Sequence, residues 1–507
     1  MGFTTFNDML RRTAWRLPDH TFLTWTDRNR SITYAQGVEQ SAWIAGALAS
    51  LGVGKGDRVG IFAHNGLDYV LAMLGAWRLG AISTHISVLQ AHNLAYYVND
   101  STPTVLIYTG DEHDVVAAQR PNMPSVQHYI CFDGAKEGAQ AWDPLLKARL
   151  NPPPDATDAM DGAHLSYTSG SAGPPKGALL AHGFVARATH CIAERIGLSS
   201  DDVSLGPTSL ASSYHLVANL LPGMHRGVAI GVMTKWDQAV AWDDMQRRGV
   251  TVMVGSPLLF TDVLNECRKR AARPAALRVL LSGGAPVPPD IKRAFVSEFG
   301  IFVAESFGMS ELGGFVALGF PRREPESRLF AIGPTLPDRE VRIVDEHDVE
   351  LPSDQPGQIV IRDGYMLRYW NMPDKTADVL RDGWLHTGDM GVMDAEGYIS
   401  MLGRWSERIV SEGKIIFPRP IEEALLRHPA VRYACVIGRP DPVKGEIVKG
   451  IVELYADKPA TPEDLLSHCR NQLGLASPAL IEIIPEMPMT PTGKIGRADL
   501  QRREREA

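Results

Sequence analysis

The sequence contains the segment Leu165-Ser-Tyr-Thr-Ser-Gly-Ser-Ala-Gly-Pro-Pro-Lys-Gly177, in which an apolar, strand-like start leads into hydroxyl side chains, glycines and a lysine. Glycines let backbone N–H groups approach phosphate oxygens closely, and hydroxyl groups add further donors. A lysine adds a positive charge. The pattern therefore predicts a phosphate-binding loop, whose candidate residues are Thr168, Ser169, Gly170, Ser171, Gly173 and Lys176.

Two other interpretations of this segment are less consistent with it. A flexible Gly/Ser linker rarely follows an apolar start or ends in Pro-Lys-Gly. A Walker P-loop needs Gly-Lys followed by Ser or Thr, whereas Lys176 is followed by Gly177.

Around this loop, apolar strand-like runs alternate with amphipathic helix-like runs. We predict strands at 58–62, 104–108, 251–254 and 279–281 and helices at 67–79 and 257–270. Such alternation is typical of an α/β fold with largely parallel sheets and helices on their faces.

The pattern changes along the second half of the chain. Short strands at 340–344, 357–361 and 397–402, separated by Asp, Pro and Gly, predict a small, mostly antiparallel β unit at about 320–403. From 418 onward a new pattern predicts helices at 421–427 and 462–473 and strands at 433–437 and 447–454. We therefore expect a large N-terminal domain at 1–403 and a small, mobile α+β domain at 404–507.

Composition narrows the class of protein. Of 507 residues, 44% are apolar and 22% are charged, which excludes a chain too poor in apolar residues to form a core. The net charge of −8 offers no global field for nucleic acid or for an anionic membrane. Five scattered cysteines, no apolar run of membrane-spanning length and no signal-like N-terminus predict a cytoplasmic protein. Whether it forms a homodimer is left open.

Four further segments accompany the loop. They are Leu280-Leu-Ser-Gly-Gly-Ala-Pro286, Glu305-Ser-Phe-Gly-Met-Ser-Glu311, Gly383-Trp-Leu-His-Thr-Gly-Asp389 and Pro491-Thr-Gly-Lys-Ile-Gly-Arg497. Together with the loop, and in this order, they resemble the motifs of the adenylate-forming superfamily, which includes the acyl-CoA synthetases. The resemblance covers most of the chain, and it implies that ATP, Mg²⁺ and CoA take part in the reaction.

The resemblance assigns roles to these residues. Phe307 stacks on adenine, Ser310 donates to the α-phosphate, and Glu311 holds Mg²⁺ as a hard oxygen ligand. Asp389 accepts from the ribose hydroxyls, and Arg404 reaches the ribose and phosphate. Further ATP/AMP-binding positions lie beside them in two of the segments: Gly283, Gly284, Ala285, Glu305, Ser306 and Gly308.

The resemblance further implies a two-step reaction. A carboxylate attacks the α-phosphorus of ATP to form acyl-AMP and pyrophosphate, and Lys494 stabilises the developing charge. The small domain then rotates, and the thiol of CoA attacks the mixed anhydride to give acyl-CoA and AMP. Ser411, Gly413 and Lys414 match the loop beside the pantetheine tunnel.

Four positions depart from the superfamily pattern. Ala172 removes a hydroxyl from the phosphate loop, Ser406 occupies the hinge position where Asp or Lys is usual, and Pro420 replaces a common Glu. Glu412 replaces a common glycine, and its negative charge is expected to repel CoA phosphates if it points inward. These changes bear mainly on thioester formation.

The acid is less clearly indicated. By resemblance, Tyr214, His215, Gly308 and Gly313 line the acyl pocket, and His215 is also a candidate catalytic residue. Small and apolar residues there suit an uncharged acyl group, which leaves fatty, short branched or hydroxylated, and aromatic acids open.

The motifs are compatible with three functions. The resemblance favours an acid–CoA ligase. An adenylating enzyme that loads a carrier protein is the first alternative, and a non-catalytic nucleotide-binding protein on the same fold is the second.

Overall fold

The structure is a computed structural model that describes residues 4–168, 174–329, 331–474, 477–489 and 495–506. Its strands, in chain order, are β1 Thr21–Trp25, β2 Arg30–Thr33, β3 Arg58–Phe62, β4 Ile82–Ile86, β5 Val105–Tyr108, β6 His128–Cys131, β7 Gln140–Ala141, β8 Gly162–Tyr167, β9 Gly177–Ala181, β10 Val203–Gly206, β11 Ala229–Val232, β12 Val252–Gly255, β13 Val279–Gly283, β14 Phe302–Met309, β15 Gly314–Leu318, β16 Gly333–Pro334, β17 Glu340–Val344, β18 Gly357–Arg362, β19 Arg368–Tyr369, β20 Leu380–Arg381, β21 Trp384–Met393, β22 Tyr398–Arg404, β23 Ile409–Ser411, β24 Lys414–Ile416, β25 Val431–Asp441, β26 Gly445–Leu454 and β27 Leu480–Ile483.

The α-helices, in chain order, are α1 Phe6–Arg16, α2 Tyr34–Ser50, α3 Leu67–Arg78, α4 Leu94–Ser101, α5 His113–Gln119, α6 Trp142–Lys147, α7 His182–Arg195, α8 Ser213–His215, α9 Leu221–Arg226, α10 Gln238–Arg248, α11 Pro257–Arg270, α12 Pro289–Ala294, α13 Pro373–Val379, α14 Pro418–Leu426, α15 Pro462–Leu473 and α16 Arg497–Glu506. A π-helical turn, Leu216–Leu220, joins α8 to α9.

Two large sheets dominate residues 21–369. The first has the order β15-β14-β13-β12-β10-β11-β1-β2, and the second has the order β19-β9-β8-β4-β3-β5-β6-β7. Their inner pairs, such as β12 with β13 and β3 with β4, are parallel, whereas their edges include antiparallel pairs. Parallel strands need crossover connections, and the helices between them supply these. The predicted α/β fold is confirmed.

Two smaller sheets complete the described part of the chain. The first is an antiparallel sheet with the order β16-β22-β21-β18-β17, in which β20 also pairs with β21. It overlaps the predicted β unit at about 320–403, but β19 leaves it and pairs with β9 of the second large sheet. The last sheet has the order β24-β23-β26-β25, with β27 parallel to β26.

Local sequence explains where several helices begin. At α1, α2 and α15 a threonine caps the first turn, and the side chain three residues later returns a hydrogen bond to the cap. Such capping boxes satisfy backbone donors that have no partner inside the helix. The helix α3 is different, because every residue from Leu67 to Trp77 is buried. It therefore lies inside the main core rather than on its surface.

Among the helices of the described ranges, none is both long and apolar enough to cross a lipid bilayer.

Candidate active site

Hydrogen bonds join the two ends of the predicted phosphate loop. Thr168 N–H donates to the carbonyl of Lys176 at 3.0 Å, and Lys176 N–H donates back to Thr168 Oγ1 at 3.1 Å. Tyr96 on α4 donates from its hydroxyl to the carbonyl of Pro175 at 2.6 Å. These bonds close the base of the loop. Its predicted residues Ser169, Gly170, Ser171 and Gly173, together with Ala172, lie outside the described residues.

Lys176 is connected through Tyr369 to Glu311, the predicted metal ligand. Its Nζ lies 4.4 Å from the ring centre of Tyr369, and the Tyr369 hydroxyl donates to Glu311 Oε1 at 2.5 Å. Burial, together with the neighbouring Glu311 carboxylate, raises the pKa of Tyr369 above its usual value. The phosphate loop and the Phe-Gly-Met-Ser-Glu segment therefore meet at one tyrosine.

Asp389 and Arg404 form a third part of the same region. They face each other across β21 and β22, and Arg404 Nε lies 3.3 Å from Asp389 Oδ1. Asp389 is buried, and its backbone N–H donates to Thr387 Oγ1. The charge of Arg404 slightly offsets the rise in the pKa of Tyr369. Tyr369 thus contacts Lys176 and Glu311, and the Asp389–Arg404 pair is linked to it through the charge of Arg404, although these residues come from distant parts of the sequence.

The two predicted adenine segments lie side by side. They form the ends of β13 and β14, with Gly283 opposite Ser306, and Ser306 donates from Oγ to the carbonyl of Ser282 at 2.7 Å. Gly284 has a φ of +82°, which favours glycine, and Ala285 follows it. Phe307 is half-buried beside this edge, and Ser310 opens the short turn Ser310–Leu312 that carries Glu311.

Glu305, also on β14, lies in a buried ionic network. Lys292 on α12 contacts Glu305 Oε2 at 2.5 Å, and Arg419 on α14 lies 3.9 Å from Oε1. Arg419 also pairs with Glu423 at 2.9 Å. Burial lowers the pKa of Arg419, but the carboxylates of Glu423 and Glu305 outweigh it, so the pKa is raised. The network joins the predicted nucleotide segment to the helix that begins the C-terminal part of the chain.

Tyr214, Gly308 and Gly313, the residues predicted to line the acyl pocket, each lie close to different neighbours. The Tyr214 hydroxyl donates to the carbonyl of Leu281 at 2.7 Å, and its ring lies so close to Gly283 that a Cβ there would come within 2.4 Å. A Cβ on Gly308 would come within 2.5 Å of the Gly314 carbonyl. A Cβ on Gly313 would meet Val185 at 2.5 Å. The glycines therefore allow close packing that any larger side chain would disturb.

His215 is fully buried, and both of its ring nitrogens have partners. Nδ1 lies 2.8 Å from the carbonyl of Thr208 and therefore carries the proton, while Nε2 accepts from Asn219 Nδ2 at 3.2 Å. Burial lowers the pKa of His215 to about 4. The ring is neutral and supports the segment around 208–215. A catalytic role for His215 stays a prediction.

The predicted CoA residues lie elsewhere. Ser411, Gly413 and Lys414 form the hairpin of β23 and β24, with Ser411 opposite Lys414 and positive φ angles at Glu412 and Gly413. Positive φ at both central residues defines a type I′ turn. The hairpin pairs with Gly445 of β26 in the last sheet. Within the described ranges, its hydrogen bonds and ion pairs stay inside that sheet.

Glu412, which departs from the superfamily pattern, is paired in the structure. Its side chain contacts Lys444 Nζ at 2.6 Å, and its backbone N–H donates to the carbonyl of Lys444 at 2.9 Å. The hydrogen bond and the charge of Lys444 lower the pKa of Glu412. Its negative charge is therefore partly offset where repulsion of CoA was expected.

Lys494 lies outside the described residues. Its flanking residues Met489 and Ile495 pair with each other, and Arg497 contacts Glu422 at 2.6 Å and Glu407 at 3.6 Å. Arg497 thereby ties the end of this segment to the short helix Trp405–Glu407, which contains Ser406.

Several residues of the region were missed by sequence reasoning. They are Tyr96, Lys292, Tyr369, Arg419 and Lys444. Each lies outside the five motifs, and each reaches the site only because strands or helices from other parts of the chain pack beside it. No local pattern in the sequence marks them.

Two family models match this chain. The model of the AMP-binding enzyme family matches residues 10–370, and the model of the AMP-binding enzyme C-terminal domain matches residues 420–494. Together they cover most of the chain: the first includes the three motifs before residue 312, the second reaches Lys494, and the motif at 383–389 lies between the two matched ranges.

Curated relatives of similar length also match. A feruloyl-CoA synthase from Amycolatopsis sp. is 30% identical over 477 residues, which cover 93% of this chain and 94% of the relative. A sulfoacetate–CoA ligase from Cupriavidus necator is 29% identical and covers 98% of this chain and 97% of the relative. Both are acid–CoA ligases by name, and their acids differ strongly. The predicted enzyme class, an AMP-forming acid–thiol ligase, is confirmed, and the acid is left open.

A solved structure supports the same assignment. The crystal structure of ATP-bound MatB from Rhodopseudomonas palustris superposes with a TM-score of 0.87 at 25% identity, covering 99% of each chain. With the family models, these matches confirm the superfamily that the motifs resemble. The chain belongs to the AMP-binding enzyme family.

Proposed function

We propose that this enzyme activates a carboxylic acid with an uncharged acyl end, first as acyl-AMP and then as acyl-CoA. The observation that carries the proposal is that Tyr369 joins Lys176 to Glu311, while Asp389 pairs with Arg404, whose charge acts on Tyr369. Two cations and two carboxylates in one region match the needs of a bound nucleoside triphosphate, which has charged phosphates and a ribose with paired hydroxyls.

The nucleotide takes its contacts from several elements. In this proposal Thr168 and Lys176, at the two ends of the phosphate loop, bind the phosphates. The ends of β13 and β14 with Phe307 hold the adenine, and Asp389 with Arg404 holds the ribose. Asp389 is buried and Arg404 is half-exposed. A carboxylate is well suited to accept hydrogen bonds from two hydroxyls, because it has two acceptor oxygens.

Mg²⁺ fits the donor set around Glu311. Mg²⁺ usually takes one or two carboxylates from a protein and completes its shell with phosphate oxygens and water. Glu311 offers one buried carboxylate, of which Oε1 is already engaged by Tyr369. Over the described ranges, no group of three or more His, Cys, Asp or Glu forms a metal cage. When bound, Mg²⁺ would offset negative charge on the phosphates.

The chain's own residues then supply positioning and charge. Ser310 donates to the α-phosphate, and Lys494 stabilises the charge that develops as the carboxylate oxygen attacks phosphorus. Tyr214, Gly308 and Gly313 bound the acyl group. Because the ring of His215 is neutral and paired on both sides, we assign it to shaping this pocket rather than to proton transfer.

The second step requires a rearrangement. The CoA hairpin at Ser411–Lys414 hydrogen-bonds within the last sheet, whereas the nucleotide residues lie on the large sheets and the antiparallel unit. We place the domain boundary at 403/404, because β22 ends at Arg404 and the helix Trp405–Glu407 leads to the next sheet. Rotation about Ser406 would bring the hairpin to the acyl-AMP.

The cytoplasm is the proposed location. All five cysteines are free, and four of them are buried. Unpaired thiols agree with a reducing compartment.

An acid panel tests the proposal. Purified enzyme is assayed for acid-dependent exchange of pyrophosphate into ATP, and then for thioester formation with CoA. The panel contains aromatic acids, straight-chain fatty acids, short branched or hydroxylated acids, and dianionic acids such as malonate and sulfoacetate. We expect exchange with one uncharged class, followed by stoichiometric CoA use. Exchange with dianionic acids alone contradicts the proposed acid class. Exchange without CoA use, but with loading of a carrier protein, contradicts the proposed thiol.

A further inference from the structure

Tyr369 contacts two predicted functional residues at once. Its hydroxyl donates to Glu311 Oε1 at 2.5 Å, and Lys176 Nζ lies 4.4 Å from the centre of its ring. A cation at this distance from an aromatic face is attracted by the electron density of the ring. One side chain therefore contacts the phosphate-loop lysine on its face and the metal carboxylate at its edge.

The backbone around Tyr369 is held on both sides. As part of β19, Tyr369 pairs with Ala178 of β9, two residues after Lys176. Its N–H donates to Thr376 Oγ1 at 3.0 Å. Close by, Met366 N–H donates to the backbone carbonyl of Glu311 at 2.6 Å. The segment 366–369 thus holds Glu311 by its backbone as well as by its side chain.

Burial gives the hydroxyl its importance. Tyr369 is 3% exposed and Glu311 is 5% exposed, so water does little to orient the carboxylate. A hydrogen bond that occupies Oε1 restricts rotation of the carboxylate and leaves Oε2 as the oxygen to present to a cation. Groups that orient a ligand in this way usually affect metal affinity.

We propose that Tyr369 is a positioning residue for adenylation: its hydroxyl orients Glu311 so that one oxygen faces Mg²⁺, and its ring holds Lys176 beside that carboxylate. The inference rests on the proposed function, in which Glu311 binds Mg²⁺ and Lys176 binds phosphate. Tyr369 acts through Glu311 and Lys176, and does not itself touch the reacting atoms.

Equilibrium binding of ATP separates the two contacts. Titration calorimetry is run with ATP in excess Mg²⁺ and with ATP in EDTA. Tyr369→Phe keeps the ring and removes the hydroxyl, whereas Tyr369→Leu removes both. Tyr365→Phe is the matched control. Tyr365 lies in the same segment as Tyr369, but its hydroxyl donates to the carbonyl of Gly383 and not to Glu311. Thermal unfolding of each variant verifies that it is folded.

The expected pattern is specific. Tyr369→Phe weakens binding of ATP in Mg²⁺ by about tenfold and leaves metal-free ATP binding unchanged. Tyr369→Leu weakens both, and Tyr365→Phe weakens neither. Glu311→Gln removes the same Mg²⁺-dependent part, and adding Tyr369→Phe to it causes no further loss, since one residue acts through the other. Equal loss with and without Mg²⁺ in Tyr369→Phe, additive losses in the double variant, or wild-type binding throughout overturns the proposal.

Activity adds a second readout that distinguishes failure of the two proposals. In pyrophosphate exchange, Tyr369→Phe is expected to raise the half-saturating Mg²⁺ concentration about tenfold, with a rate at saturating Mg²⁺ within about threefold of wild type. If wild-type enzyme shows no exchange with any acid, the proposed function fails. The calorimetric pattern is read independently of that outcome.

Discussion

Arg419 on α14 lies 3.9 Å from Glu305 on β14, and Lys292 holds the other carboxylate oxygen of Glu305 at 2.5 Å. This contact joins the nucleotide segment to the first helix of the C-terminal part of the chain. It belongs to an arrangement in which the CoA hairpin lies on the last sheet, with Val410 and Ile415 partly exposed. We predict that this ion pair favours the arrangement used for adenylation, because it holds the first helix of the C-terminal part of the chain beside the predicted nucleotide segment.

Arg419→Gln tests this relationship. Loss of the pair is expected to lower acid-dependent pyrophosphate exchange by about tenfold, a common size for coupling between two parts of a protein. Thioester formation from supplied acyl-AMP is expected to stay at the wild-type rate. Arg427→Gln is the control, because Arg427 lies exposed at the end of the same helix and bonds to Gln472. Equal loss of both half-reactions contradicts this role.

Lys444 and Glu412 give a second prediction. Removing the Lys444 side chain leaves the Glu412 charge unbalanced at the CoA hairpin. Lys444→Ala is therefore expected to raise the KM for CoA by about threefold to fivefold, with a smaller effect at high salt, because charges at an exposed site are screened. Adenylation should be unaffected.

The companion variant is Glu412→Gly. Glycine tolerates the positive φ of +52° and removes the charge, so Lys444→Ala in this background is expected to have a normal KM for CoA. A KM that stays raised in the double variant would mean that Lys444 contacts CoA directly.

Lys494 provides the sharpest test of the proposed chemistry. Lys494→Ala is expected to lower pyrophosphate exchange by at least about a hundredfold, the usual cost of removing a charge that stabilises a transition state. Conversion of supplied acyl-AMP and CoA to acyl-CoA should continue. Lys147→Ala, a change at an exposed lysine, serves as the control. Loss of both half-reactions would show that Lys494 does not act in adenylation alone.

Buried histidines predict how stability depends on pH. Burial lowers the pKa of His164, His182 and His215 to about 4, and that of His85 well below its usual value. Below about pH 6.5 the unfolded chain binds protons that the folded chain does not. Each such group then costs up to ~1.4 kcal/mol of stability per pH unit, and the cost is absent above that pH.

Urea unfolding at pH 7.5, 6.0 and 5.0 measures this dependence. The midpoint should fall steadily as the pH decreases. His164→Leu should reduce the dependence of the midpoint on pH, because leucine cannot bind a proton in the unfolded chain. The substitution breaks no hydrogen bond of Nε2, which meets no hydrogen-bonding group among the described residues. A midpoint that is constant from pH 7.5 to 5.0 contradicts the prediction.

Much of the fold was predictable from local pattern. The strand predicted at 58–62 is β3, the helix predicted at 257–270 is α11, and the helix predicted at 462–473 is α15. Each has apolar spacing or capping residues that specify it locally. The pairing of β19 with β9 was not predictable, because a two-residue strand has almost no pattern and its partner lies far away in the chain.

The candidate site was likewise predictable only in part from the sequence. Motif order in the sequence was enough to identify Lys176, Glu311 and Asp389 as candidates and to assign the superfamily. It was not enough to show that His215 is buried and paired on both nitrogens, since that depends on Thr208 and Asn219 in the folded chain. Glu412 was expected to repel CoA if its side chain pointed inward, and only the packing of the 441–445 turn revealed Lys444 beside it.

The sequence by itself determined many of the longer helices and strands, because these depend on residue types at short spacing, and its five motifs indicated the class of enzyme through their resemblance to a known superfamily. Only the tertiary structure decided which distant side chains share a contact: Tyr369 between Lys176 and Glu311, Arg419 beside Glu305, and Lys444 on Glu412. The physical reason is that strand order and helix packing determine which residues meet, and no local periodicity specifies them.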